Sequence, residues 1–297
     1  MTSTPHQAHL SKKIVIFHPT SRFDAFLQNQ RKKLLRLCIK LLKKRGSYPN
    51  FWILFDEPIC RDILLNGFYE KELLYGMQHL AKNRKGIAID VGANIGNHTI
   101  FFSQCFPQVI SFEPAPENCG LIRANLYLNG INNVTLIEKG LGEKNATLTL
   151  ANNDPTNTNN GFSISQSAEN TYTQGNRQAT VVRGDDELKD MEFSNGISII
   201  KIDVEGMEPQ VLYGLTKTIQ KYQPIIFWEA FDHDSANESV KVLKNMGYEY
   251  FYHMTTTHSK NSFANKLHNS FGKSTYLIPL NECAKLDGMN VAVMNPI

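Results

Sequence analysis

The segment Asp90-Val91-Gly92-Ala93-Asn94-Ile95-Gly96 is the first stretch whose residue types and spacing suit chemistry. Gly92 and Gly96 flank a turn where backbone can approach a ligand, and a helix beginning there offers free N–H groups. Glu113 follows Gly92 by 21 residues. That spacing suits an acid accepting hydrogen bonds from two ribose hydroxyls, so the pair predicts a nucleoside-containing ligand. A dinucleotide would seat its pyrophosphate on GxGxxG. The middle glycine is missing here, which argues against a nicotinamide oxidoreductase. Asp90 and Asn94 supply an acid and an amide instead, which suit a ligand bearing an ammonium group. Further along stand Lys201-Ile202-Asp203-Val204-Glu205-Gly206 and Phe227-Trp228-Glu229. Carboxylates beside apolar runs are candidates for proton handling or cation binding. The plainer role for such residues, and for Asp232, His233 and Asp234, is capping the helices that follow. They lie on two strand ends without HxxxH or DxD spacing, so no metal site is expected. His98, among apolar residues, reads as a core or capping histidine.

These residues need elements to place them. From residue 66 the chain alternates short apolar runs with helical patterns. GIAIDVG, QVISFEP, NVTLIEKG, ISIIKIDVEG and PIIFWEA read as strands; NHTIFFSQCF, ENCGLIRANLYLNG, EPQVLYGLTKTIQKY and SANESVKVLKNMG read as helices. ATLTL and QATVVRG are strand-like, and YEYFYHM, STYLIPL and MNVAVMN are late strands with no helix between the last two. Such alternation predicts an α/β fold with a mainly parallel sheet, right-handed crossovers and a closing antiparallel hairpin. In such sheets ligands bind beyond the carboxyl ends of the strands, where Asp90, Glu113, Asp203 and Glu229 fall. Residues 152–176, rich in Asn, Thr, Ser and Gly, show no periodicity and read as an irregular insertion.

Composition narrows the class. The 297 residues are 41% hydrophobic and 20% charged, a globular balance. Five scattered cysteines without CxxC argue against a disulfide framework and for a reducing, cytoplasmic setting. The opening MTSTPHQAHLSKK lacks the apolar stretch of a secretory signal, and no run approaches a membrane span. Residues 31–45 hold eight Lys or Arg and no acid; the rest carries 23 basic against 28 acidic side chains. Basicity thus belongs to one amphipathic helix within an N-terminal extension, residues 1–65, so no nucleic-acid partner is expected. That helix reads as a docking element with a solvated side, or as a peripheral contact with an anionic membrane surface.

Taken in order, IDVGANIGNHTIFFS, VISFEPAPENCGLIRANLYLNG, the DDEL after TVVRG, and IIKIDVEGMEPQVLYG resemble the FkbM-type methyltransferases, a family within the S-adenosylmethionine-dependent Rossmann-like enzymes. The resemblance covers about residues 66–230 of a domain reaching 297. It implies a seven-stranded sheet with its last strand antiparallel, S-adenosyl-L-methionine as cofactor, and O-methylation of a hydroxyl on a sugar, glycan or other secondary metabolite. It implies that Asp90, Gly92, Ala93, Asn94 and Gly96 hold the methionine part, and that Glu113, with Pro114 beside it, binds the ribose. Gly140 and Leu141 would lie along the adenine through their backbone, and Glu70 would help close the pocket. Asp203 and Glu205 match its acidic motif; Asp203 or Glu229 would take the acceptor's proton and Glu205 would orient the acceptor. A catalytically inactive, glycan-binding or assembly domain is the competing class.

Overall fold

The computed structural model describes residues 68–151, 163–165, 177–230, 232–256, 265–267, 275–283 and 286–296, with isolated residues 30, 33 and 63. The basic helix read over 31–45 and most of 152–176 lie outside the described residues. The chain divides into two compact units, residues 1–69 and 70–297, and the second carries the elements below.

Helix α1, Lys71–Ala81, leads into β1, Ile87–Val91, whose five residues are all buried, as a central parallel strand requires. Then follow α2 (Asn97–Cys105), β2 (Val109–Phe112), α3 (Pro116–Leu128) and β3 (Val134–Ile137). Proline opens α3 at a position whose N–H has no helical partner anyway. Next come β4 (Gly140–Gly142), β5 (Ala146–Ala151), β6 (Ser163–Ser165), β7 (Arg177–Arg183) and the short α4 (Gly184–Glu187). Strand β8 (Ile197–Ile202), helices α5 (Glu208–Gly214) and α6 (Thr216–Tyr222), β9 (Ile225–Trp228) and α7 (His233–Asn245) follow. The chain ends on β10 (Tyr250–Thr255), β11 (Asn265–Leu267), β12 (Thr275–Pro279) and β13 (Met289–Val293).

The main sheet runs β11-β12-β10-β13-β9-β8-β1-β2-β3. Neighbours from β9 to β3 pair in parallel, and β13 lies antiparallel between β9 and β10. This is a Rossmann-like sheet whose order reverses beside β1. It has nine strands rather than the seven expected, because β12 adds antiparallel to β10 and β11 adds to β12. A second difference is a separate four-stranded sheet, β4-β7-β5-β6, built from the strand-like runs on either side of the insertion; β6 itself lies where no periodicity is visible. The single helix read over 208–222 is two. Gly214 lies so close to the Gly142 carbonyl that a Cβ would come within 2.0 Å of it, and the helix re-forms one residue later.

One face of the main sheet, with Ile89, Val91, Ile200, Ile202, Ile226 and Trp228, packs on Val211, Leu212, Ile219, Val242 and Leu243 of α5, α6 and α7. Side chains alternate along each strand, so the intervening residues face the other side. There the register sets Ser111 beside Asp90, Asp90 beside Lys201, and Lys201 beside Phe227. Three polar side chains therefore share one buried row at the carboxyl edge.

Candidate active site

The parallel ladder continues one step past the strand ends. Glu113 N–H donates to the Ile137 carbonyl, Gly92 N–H to Phe112, Asp203 N–H to Val91 and Glu229 N–H to Ile202. By alternation, Glu113, Asp203 and Glu229 project on the same face as Asp90 and Lys201, one row further out. The fold thus places in one row three acids far apart in sequence, with Gly92 between the first two.

Gly92 adopts φ +77°, and a Cβ on it would lie 1.8 Å from the Asp203 carbonyl oxygen. Only glycine fits this close crossing of backbones. Ala93 N–H donates to Phe112 O at 3.0 Å, Asn94 has φ +50°, and Gly96 N–H closes on Ala93 O at 2.8 Å just before α2. Thr99 of α2 donates to Asp90 at 2.7 Å and so receives the Ser111 hydroxyl at 2.8 Å. Asp90 is thereby held through one carboxylate oxygen, Oδ2.

Glu113 is 5% exposed. Its carboxylate accepts Asn94 N–H at 2.7 Å, Ala115 N–H at 2.9 Å and Asn118 Nδ2 at 3.3 Å. Burial nonetheless outweighs these donors and raises its pKa from 4.5 to about 7. Further donors, such as a ribose diol, would favour the charged form. Pro114 and Gly140 lie against each other beside Glu113, whereas the Leu141 side chain is spent in the core, leaving only its backbone for a ligand.

At the other end of the row, Lys201 is 1% exposed. Its ammonium donates to Gly92 O at 2.9 Å and lies 3.3 Å from both Asp90 Oδ1 and Asp203 Oδ2. Burial alone would lower its pKa, but the two carboxylates reverse the sign and raise it. Asp203, with 30% of its side chain exposed, shares a hydrogen bond with Glu229. Desolvation would raise Asp203, yet the Lys201 charge and the Glu229 hydrogen bond hold it low. Glu229 goes the opposite way, pushed up by desolvation and then by the Asp203 charge, with Glu70 and Glu205 adding repulsion. Two neighbouring carboxyls thus carry one proton, and it resides on Glu229.

Glu70 stands just before α1 with φ +50° and is near enough to repel Glu229. It therefore lies near the Asp203–Glu229 pair. Glu205 does not extend the strand's alternation as its sequence position suggests. It occupies an exposed left-handed turn with Gly206, braced by Glu208, which accepts the N–H groups of Val204 and Gly206. Asp232 is a cap: it accepts Ser235 N–H at 2.8 Å in a capping box opening α7. The DDEL stretch is also structural, since buried Asp185 accepts Thr218 N–H, Thr218 Oγ1 and Lys217 N–H at the start of α6. Among the described residues no three of His, Cys, Asp and Glu are placed to hold a metal ion.

Two residues escaped the sequence reading. Lys201 carried a visible signal: it is the one charge in the apolar run Ile197–Ile202, and a buried ammonium demands acids nearby. His98 is 7% exposed and close to Lys201, Asp90 and Asp203, with Nε2 unpartnered. Burial, then the Lys201 charge, lowers it to about 4, so it stands neutral at the site.

S-adenosylmethionine fits these residues. Asn94 Oδ1 is buried without a partner, and Asp90 Oδ1 has no hydrogen bond and meets only the Lys201 ammonium. Both acceptors suit the ligand's ammonium, while Glu113 suits its ribose.

A family model described as the methyltransferase FkbM domain matches residues 90–250. Methyltransferase 1 of Beauveria bassiana (strain ARSEF 2860) is 30% identical over 145 residues, covering 43% of this chain and 57% of that protein. Methyltransferase sdnD of Sordaria araneosa is 29% identical over 154 residues, covering 43% of this chain and 59% of that protein. The chain thus matches under two thirds of either relative's length. A crystal structure of methyltransferase FkbM from Methylobacillus flagellatus KT aligns with TM-score 0.39 and 15% identity over 80% of this chain and 57% of that one.

Proposed function

The chain belongs to the FkbM methyltransferase family, whose methyl donor is S-adenosylmethionine, and from that premise we propose that it methylates a hydroxyl of a sugar, glycan or other secondary metabolite. One observation carries the choice of a hydroxyl: the Asp203–Glu229 pair, which holds one proton between two carboxyls at the reaction edge. An alcohol must lose a proton as its oxygen is alkylated, and an ionised carboxylate within reach receives it.

Bound at the Gly92 turn, the cofactor supplies an electrophilic methyl on a sulfonium. The chain's own residues do the rest. Glu113 and the backbone of the turn orient the donor; much of the rate of an in-line displacement comes from such positioning. The acceptor O–H donates to Asp203. As the acceptor oxygen is alkylated, the proton it must lose would pass to Asp203. An alkylated oxygen still carrying its proton is far more acidic than a carboxyl, so a low-pKa acceptor suffices. Glu229 keeps its own proton, which its O–H donates to Asp203, and Glu205 at the rim would orient the acceptor. The free thiols of Cys105 and Cys119 support a reducing, cytoplasmic setting. No helix among the described residues is long and apolar enough to cross a membrane, and peripheral contact through residues 31–45 remains part of this proposal.

The test is release of S-adenosylhomocysteine with a panel of polyhydroxylated acceptors, compared with amine and thiol acceptors, for wild type and Asp203→Asn. The reading expects turnover with a hydroxyl acceptor, a loss of about 10²–10⁴-fold in Asp203→Asn, and S-adenosylhomocysteine affinity within a few-fold. Normal turnover by Asp203→Asn removes the base assignment; turnover with amines or thiols alone removes the hydroxyl.

A further inference from the structure

We infer that Lys201 is a positioning residue for methyl transfer: its buried ammonium fastens the donor turn, at the Gly92 carbonyl, and the acceptor-side acid, Asp203, to one point, and sets the charge the pocket offers the sulfonium. This rests on the methyltransferase reading above.

The geometry is specific. Lys201 is the Cα partner of Asp90 across the β1–β8 pairing, and its side chain reaches the next row, where Gly92 and Asp203 cross. Its three contacts, at 2.9, 3.3 and 3.3 Å, fall on the donor turn, on the acid at the foot of that turn, and on the proton acceptor. No other lysine or arginine among the described residues pairs with Asp90 or Asp203. An isoleucine or methionine would satisfy this strand without desolvating an ammonium, a penalty of several kcal/mol per ion that packing must offset. What the lysine adds is a fixed distance between the two halves of the reaction and a charge count. Two carboxylates against one ammonium leave a single negative charge beside the sulfonium.

The surrounding elements contribute the remaining charged and titratable groups. From α2 comes neutral His98; from the loop after β8, Glu205; from the start of α5, buried Glu208; from the end of β9, Glu229; from before α1, Glu70. Glu113 feels Lys201 more weakly. All but His98 are acids, so Lys201 has no cationic substitute among them. Without it, Asp203 and Glu229 would hold their protons to a pH about 1–3 units higher, the usual influence of one nearby opposite charge.

S-adenosylmethionine and S-adenosylhomocysteine differ by one methyl and its positive charge, so the ratio of their affinities reports negative charge beside sulfur without any acceptor. Calorimetric titration of both across pH, for wild type, Lys201→Met and Lys201→Arg, reads it. In the wild type the preference for the sulfonium rises as the Asp203–Glu229 pair gives up its proton. Lys201→Met is expected to move that rise upward by about one unit or more and to weaken both ligands about tenfold or more, while Lys201→Arg keeps the midpoint. A folded Lys201→Met protein with an unmoved midpoint overturns the inference. Should that variant not fold, Lys201→Met/Asp90→Asn removes one charge of each sign; because Lys201 is the charge in contact with Asp203, the midpoint must move the same way by a smaller step, and an unmoved midpoint there overturns it equally. If wild type binds neither ligand, the methyltransferase reading itself falls and this inference with it, an outcome distinct from an unmoved midpoint.

Discussion

Donor binding should strengthen with pH through the titration of Glu113, and Glu113→Gln should abolish that dependence. The carboxyl is buried, and burial raises its pKa from 4.5 to about 7 against the pull of three donors. Ribose hydroxyls would bind its charged form. At pH 6 about one tenth of such a group is ionised and at pH 8 about nine tenths, so the apparent Kd for S-adenosylhomocysteine should tighten about tenfold, about 1.3 kcal/mol. In Glu113→Gln one amide N–H₂ would meet the Asn94 or Ala115 N–H, and the charge-assisted bonds are gone. Each such bond contributes about 1.5–3 kcal/mol, so affinity at pH 8 should fall by at least about tenfold. Without ligand the sign reverses. Because the folded value lies above the unfolded one, the stability this group contributes is full below pH 4.5 and is lost as pH rises through about 7, about 3 kcal/mol in all. Urea midpoints of Glu113→Gln should therefore vary less between pH 5 and 8 than those of wild type. The assay is calorimetric titration at pH 6, 7 and 8 beside urea unfolding. Equal pH slopes of affinity in the two proteins would refute the assignment of Glu113 to the ribose.

Two further substitutions probe the frame around the site. Gly92→Ala puts a Cβ 1.8 Å from the Asp203 carbonyl at φ +77°. The left-handed backbone alone costs about 1–2 kcal/mol, so a lower thermal midpoint and about 10²-fold weaker S-adenosylhomocysteine binding are expected, and unchanged values in both would count against the close crossing. Asp185→Ala strips the acceptor from Thr218 N–H, Thr218 Oγ1 and Lys217 N–H; it should lower stability by at least about 2 kcal/mol in urea, while S-adenosylhomocysteine affinity stays within a few-fold.

Much of the site was legible before the fold was known because it obeys local rules. The Gly92–Gly96 turn, the acid at Glu113 and the acids after two apolar runs follow from residues at the ends of buried strands, where alternation ceases and polar groups become affordable. Glu205 shows the limit of that logic. Alternation predicts that it lines up with Asp203, but the strand stops at Ile202 and a left-handed turn carries it outward. The nine-stranded count had a related cause: STYLIPL reads as a strand, yet which edge it joins depends on β10 offering an unpaired side. His98 reads as a core histidine from its apolar sequence neighbours, and the fold does bury it against Phe102; what the sequence does not show is its closeness to Lys201, Asp90 and Asp203.

The chain alone settles what each strand end can offer, because hydrophobic alternation and glycine turns act over a few residues. It also identifies the family, through motifs kept in order. What only the folded sheet decides is which of those ends meet. Parallel register sets residues from positions 90, 113, 201, 203 and 229 into two adjacent rows, and desolvation there assigns the charges: the proton to Glu229, the negative charge to Asp203, and a buried ammonium between donor turn and acceptor acid. Such assignments depend on distances and dielectric surroundings that arise only when distant segments pack together.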